Sequence, residues 1–186
     1  VYTTTTPGNG CDTNGAVWTS LGSTIQCFTN GTIITKNFVT VGSNVGYAKQ
    51  LFQLPQHSFP ANYSVKVTIS DITDPNSSIA ACAGISVHNN ADESDSDTLQ
   101  ACSDGKISII SIKSNREVHR HVVSIPAAPF YTISADITPS TISMTVNNGT
   151  QLSDRAYSST TSSLGLNIFW LNANATARFT DFQYTE

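Results

Sequence analysis

Tyr63-Ser64-Val65-Lys66-Val67-Thr68-Ile69-Ser70-Asp71-Ile72 is the stretch that decides the fold class. In extended chain Tyr63, Val65, Val67 and Ile69 share one face, and Ser64, Lys66, Thr68 and Ser70 share the other. Apolar on one side and hydroxyl-rich on the other is what a half-buried β-strand requires. Working outward, the alternation returns in residues 106–112, 117–124, 131–137, 141–146, 164–171 and 177–184. Turn signals separate these runs at Asp74-Pro75-Asn76, Ser103-Asp104-Gly105, Thr138-Pro139-Ser140 and Asn147-Asn148-Gly149. No stretch carries helical periodicity over three turns. The expectation is an all-β protein, an antiparallel two-sheet sandwich of jelly-roll type, with an immunoglobulin-like sandwich as the alternative.

The chain has 186 residues, the size of one large sandwich domain. Residues 11–186 read as that domain, and residues 1–10 as a Thr-rich N-terminal segment. Only 12% of residues are charged and the net charge is −4, with the basic residues scattered. Nucleic acid and anionic lipid both need clustered Lys and Arg, so neither is expected as a partner. No apolar stretch approaches the roughly 18 residues of a membrane span, so no membrane insertion is expected. The chain opens at Val1 without a basic-then-apolar leader, which fits a start after a removed signal peptide.

The four cysteines are Cys11, Cys27, Cys82 and Cys102, and no Cys-x-x-Cys occurs. Of the three possible pairings the sequence-local one, Cys11–Cys27 with Cys82–Cys102, is expected. Five Asn-x-Ser/Thr patterns begin at Asn30, Asn62, Asn76, Asn148 and Asn174. Their number is near what chance gives in so Asn-, Ser- and Thr-rich a chain. Their placement at strand ends and turns, with Asn30-Gly31 and Asn148-Gly149 as type I′ hairpin pairs, is what makes them credible acceptors. Disulfides and N-glycans together place the protein outside the cell.

Val1, Tyr2, Thr3, Thr4, Thr5 and Thr6 favour extended structure and Pro7-Gly8 ends it. This segment is either a frayed or O-glycosylated tail, or an edge strand of its own or a neighbour's sheet. Residues 89–97 read as an acidic loop in which Asp92, Asp95 and Asp97 are candidate oxygen ligands for calcium. No other cofactor is expected. His119 and His121 lie two apart on a strand and so share a face, as a metal-binding pair does, but no third ligand follows at metal spacing. The solvent face is the expected place for both. Paired carboxylates for glycoside cleavage are missing from the strands, and no Gly-x-Ser-x-Gly elbow exists, so the chain is not read as an enzyme. Phe169-Trp170 sends adjacent aromatics to opposite faces, which makes Trp170 a candidate for carbohydrate stacking or subunit contact.

Residues 131–149, followed by 164–171 and 177–182, resemble the closing strands of the concanavalin A-like (laminin G-like) lectin sandwiches. The resemblance implies a jelly roll and glycan binding. The calcium-binding Asp/Asn constellation of that family has no match here, so no ligand residues are carried over. Two functions are carried forward. The first is a non-catalytic, secreted structural subunit that self-assembles into a fibre or matrix by adding its N-terminal strand to a neighbour's sheet. The alternative is a lectin-like carbohydrate-binding module.

Overall fold

The computed structural model describes residues 3–5, 17–21, 23–28, 31–36, 47–53, 59–73, 80–92, 94–147, 149–157, 161–169 and 176–185. Side chains are described from residue 59 onward, except at 163, 167–169 and 176. The regular structure among these residues is strand: β1 (Thr3–Thr5), β2 (Val17–Leu21), β3 (Ser23–Phe28), β4 (Gly31–Lys36), β5 (Tyr47–Gln53), β6 (Tyr63–Thr73), β7 (Cys82–Asn89) and β8 (Ser96–Cys102) come first. They are followed by β9 (Lys106–Lys113), β10 (Arg116–Ser124), β11 (Phe130–Ile137), β12 (Thr141–Val146), β13 (Thr150–Arg155), β14 (Ser163–Phe169) and β15 (Thr176–Thr185). Two antiparallel sheets form. One has eight strands in the order β13-β12-β11-β6-β15-β4-β3, with β1 beside β4 on β15; the other has seven, β10-β9-β8-β7-β14-β5-β2. Fifteen strands exceed the about seven to nine of an immunoglobulin sandwich, so the jelly-roll expectation holds and its alternative falls. No described helix is long and apolar enough to cross a membrane.

β6 behaves as its sequence dictates, with Tyr63, Val65, Val67 and Ile69 buried. The same alternation on β11 and β12 buries Tyr131, Ile133, Ala135, Ile137, Ile142, Met144 and Val146 against Ile85, Leu99, Ile107 and Ile109 of the other sheet. β15 does not alternate cleanly, because Phe179 and Phe182 are three apart. A bulge between Thr180 and Gln183, with Asp181 at φ 53°, shifts the phase so that Phe179, Phe182 and Tyr184 all enter the core. Asp tolerates that left-handed backbone better than most residues. Phe59, Tyr63 and Tyr184 then form a ring cluster with centroids 5.4–5.8 Å apart.

Several local expectations change. β1 pairs Thr3–Thr5 with Gln183–Thr185 of its own chain. Thr3–Thr5 of the segment Val1–Thr6 thus form an edge strand of their own sheet; residues 1, 2 and 6 lie outside the described set. The reason is edge saturation: β4 covers β15 only from Thr176 to Phe179, and β1 takes up the hydrogen-bonding groups beyond it. Gly31 opens β4 and faces Phe28, so Asn30-Gly31 is not the central pair of that hairpin. In the β12–β13 connection Asn147 is left-handed (φ 52°) and its Oδ1 accepts from Thr132 N at 2.8 Å; Asn148 of the expected Asn148-Gly149 pair lies outside the described residues. A type I′ pair does occur at Ser114-Asn115, φ 51° and 61°, between β9 and β10.

Cys82 and Cys102 sit directly opposite each other on β7 and β8 and are disulfide-bonded. The pairing matches the expectation, but the bond staples a hairpin rather than closing an irregular loop. Asp97, read as part of an acidic loop, is a buried residue of β8. Cys11 and the Cys27 side chain lie outside the described residues.

Candidate functional site

The outward faces of the two sheets offer different chemistry. On the eight-stranded sheet, strand register aligns two polar rows across four strands. Thr185, Ser64, Asp136 and Ser143 form one, and Gln183, Lys66, Ser134 and Thr145 the next. These eight residues line a cleft of about 270 Å³ open to solvent. Ser64 Oγ donates to Asp136 Oδ1 at 2.6 Å, and neighbouring hydroxyls pair at 3.0 Å (Thr68, Thr132) and 3.1 Å (Ser143, Ser153). Further along β11, Phe130 pairs with Ser70 on this same face and is 51% exposed. Nothing in the sequence marked Phe130, because it stands at a strand's first residue, where alternation has not begun.

The outward face of the seven-stranded sheet is closed over its described central strands, β7 to β9. Ser86, Ser96, Thr98, Gln100, Ser108, Ile110 and Ile112 are all buried, yet none of them belongs to the core cluster. Thr98 Oγ1 and Gln100 Oε1 are buried without a hydrogen-bond partner, an arrangement that costs about 1–3 kcal/mol per group. At its rim Arg120 donates from Nε and from an Nη to the two oxygens of Glu117, both at 2.7 Å, and those hydrogen bonds push the guanidinium pKa up.

Between the sheets lies a buried polar pin. His88 takes φ 52° at an irregularity in the β7–β14 pairing. Its Nδ1 lies 2.7 Å from Asp97 Oδ2 on the same sheet, and its Nε2–H donates to the Thr138 carbonyl, 3.1 Å away in the β11–β12 turn of the other sheet. Ser111 donates to the second Asp97 oxygen at 2.5 Å. Every member is satisfied, so the group fixes how the two sheets sit together rather than presenting a reactive atom. Tyr63, beside it, hydrogen-bonds Thr161 at 3.0 Å, and burial drives its pKa upward.

The three calcium candidates do not converge. Asp92 is exposed and accepts from Ser94 N and Oγ, which lowers its pKa; Asp95 accepts from Ser114 N; Asp97 serves His88 and Ser111. Local turn and strand geometry uses up each carboxylate separately. His119 and His121 are not on the solvent face. A bulge between Glu117 and His119 moves them to the inward side, opposite Ser111 and Ile109, where both face Asp154 of β13. Of the acceptor asparagines, Asn62 is described and is exposed at the start of β6. Asn30, Asn76, Asn148 and Asn174, and Trp170, lie outside the described residues.

No family model and no curated protein matches the sequence. Solved structures match in shape. Carbohydrate-binding module CBM66 from Bacillus subtilis is 12% identical, with 91% of this chain and 95% of that one covered and a TM-score of 0.68. The β-glucanase of Bacillus licheniformis is 12% identical over 99% and 98% of the two chains, TM-score 0.66. An alginate lyase of polysaccharide lyase family 7 is 10% identical over 98% and 93%, TM-score 0.55. At these identities the likeness is one of fold, a two-sheet jelly-roll sandwich.

Proposed function

We propose that this protein is a secreted, non-catalytic carbohydrate-binding module that holds glycan on the open face of its eight-stranded sheet. The carrying observation is the solvent-open cleft lined by Ser64, Lys66, Ser134, Asp136, Ser143, Thr145, Gln183 and Thr185. A sugar presents hydroxyls that both donate and accept, together with apolar ring faces. Asp136 accepts, Lys66 donates, Gln183 and the hydroxyls do both, and exposed Phe130 supplies a stacking surface. The cleft's 270 Å³ is just below the about 300–1,000 Å³ of small-ligand sites, which suits one sugar unit. Four residues of strand carry β11 about 13 Å from Ser134 to Phe130, so a chain seated in the cleft reaches the ring along that strand.

The fold shared with a carbohydrate-binding module supports binding. The enzymes of the same fold leave cleavage as the competing reading. Glycoside hydrolysis needs two carboxyl groups about 5–9.5 Å apart, whereas Asp136 is the one carboxylate lining this cleft and already accepts from Ser64. The fibre reading loses its motive once β1 pairs with its own β15. The Cys82–Cys102 bond favours an oxidising, extracellular setting, and Asn62, the acceptor among the described residues, is exposed as a glycan carrier must be.

A glycan array followed by calorimetry on its hits tests the reading. Asp136→Ala and Phe130→Ala should each weaken binding at least roughly tenfold, as loss of one charge-assisted hydrogen bond or one stacking contact does. Gln100→Ala on the closed face should leave affinity unchanged. Absence of any glycan ligand, or binding indifferent to both open-face substitutions, overturns the proposal.

A further inference from the structure

The open cleft of the eight-stranded sheet is lined by one cation and one anion, Lys66 and Asp136, among hydroxyl and amide groups. Strand register fixes their relation. Lys66 of β6 lies opposite Ser134 of β11, and Asp136 of β11 lies opposite Ser64, so the two charges stand on a diagonal of neighbouring strands, about 7 Å apart at the backbone. They do not neutralise each other. Asp136 Oδ1 accepts from Ser64 Oγ at 2.6 Å, and Oδ2 takes no donor from the described residues. Neither an ion pair nor a hydrogen bond holds the Lys66 ammonium among the described residues. Elsewhere on the surface cations do find carboxylates: Lys106 lies 3.3 Å from Asp104, Arg120 2.7 Å from Glu117 and Arg178 3.5 Å from Asp71.

We infer that the glycan held in this cleft is acidic, with its carboxylate or sulfate at Lys66 and a ring hydroxyl at Asp136, a conclusion that rests on the open-face binding proposed above and names the class of sugar. A hexuronic acid carries its carboxylate on C5 and hydroxyls on C2 and C3 across the ring. Laid along the diagonal, it meets an ammonium that only donates and a carboxylate that only accepts. Turned end for end, the same ring would bring two carboxylates together, so the pair of charges selects one orientation. A sugar sulfated on O6 offers Lys66 the same chemistry from the same side of the ring. A neutral hexose gives the ammonium a hydroxyl in place of an anion, and hydrogen bonds between charged partners are the stronger kind. Gln183 and Ser134 flank Lys66 in its row and can donate to the remaining oxygens of the anion. The chain's charge of −4 is screened within about 8 Å at physiological salt, and the cleft's own two charges cancel.

Calorimetric titration with trisaccharides of galacturonic acid, galactose and galactose 6-sulfate, all of one linkage, tests this. The protein should bind at least one anionic form about fivefold more tightly than the neutral one, the upper range for a solvent-exposed ion pair. Which form gains identifies the anion as carboxylate, sulfate or either. Raising salt from about 0.05 M to about 0.5 M should narrow the gap. Lys66→Met keeps the aliphatic stem and should abolish the preference, whereas Lys66→Arg should retain it. Galactose bound as tightly as both anionic forms, or a preference that survives Lys66→Met, overturns the inference. If Asp136→Ala still weakens the galactose form, open-face binding itself stands. If none of the three binds, the acidic-sugar inference falls, and open-face binding falls with it only when the glycan array is also empty.

Discussion

The two outward faces are built from similar residues and meet opposite fates. Ser64, Thr68, Ser134, Ser143 and Thr145 lie on the open face of the eight-stranded sheet, where solvent and each other satisfy them. Ser86, Ser96, Thr98, Gln100 and Ser108 lie on the seven-stranded sheet and are buried, with Thr98 Oγ1 and Gln100 Oε1 unpartnered. The lesson is that hydroxyl-rich strand chemistry does not announce exposure. What differs is what the rest of the fold brings against each face. An open polar face can recognise a hydroxylated ligand at little desolvation cost; a closed one contributes to packing and carries the penalty of its orphaned groups.

The largest effect expected from this contrast comes from placing the same charge on both faces. Ser108→Lys puts an ammonium where the side chain is 2% exposed and should cost about 3–5 kcal/mol in urea unfolding. Ser134→Lys on the open face should change stability by less than about 0.5 kcal/mol. Equal costs would erase the distinction between the faces. Next in size, replacing Cys82 and Cys102 together by Ser should cost about 3 kcal/mol for a closed loop of 20 residues, measured by denaturant midpoint. Smaller and opposite in sign, Gln100→Leu removes a buried acceptor without a partner and should stabilise by about 1 kcal/mol; a loss of that size instead would show that Gln100 is satisfied.

The smallest effect at neutral pH separates the core from both faces. Burial raises the folded-state pKa of Tyr63 above its unfolded value of 10.0, so above pH 10 the folded protein holds a proton that the unfolded chain has released. Stability conferred by neutral Tyr63 is complete below pH 10 and falls as pH rises beyond it. Tyr63→Phe should therefore flatten the alkaline limb of a stability–pH curve while costing about 1 kcal/mol at pH 7 through the lost Thr161 hydrogen bond. An alkaline limb unchanged by the substitution would show that other groups set it.

Legibility followed burial. β6, β11 and β12 bury one face and expose the other, so their alternation could be read from residue types alone. β8 and most of β9 are buried on both faces, and there alternation carries no information; Asp97 passed for loop because a carboxylate was not expected inside a strand. In the candidate site, Ser64, Lys66, Ser134 and Asp136 were visible as outward positions of β6 and β11. Their alignment with Gln183 and Thr185 of β15 was not, because that pairing spans more than a hundred residues of chain.

Bulges caused the sharpest departures. One extra residue between Glu117 and His119 turns His119 and His121 from the solvent side to the inward side, and the irregularity at Asp181 returns Phe182 to the core. The side-chain period of a strand is two, so a single inserted residue reverses every face after it, and no local pattern reveals the insertion.

The sequence by itself determined the all-β class, the strands with one wet face and the turns at 103–105 and 138–140, and it favoured the Cys82–Cys102 pairing, since each depends on residues close together in the chain. Only the tertiary structure decided which polar face stays open, where the N-terminal Thr strand pairs, and that His119 and His121 meet Asp154. Those outcomes depend on sheet order, register shifts and distant edges left uncovered, which are properties of the assembled sandwich and of no single segment.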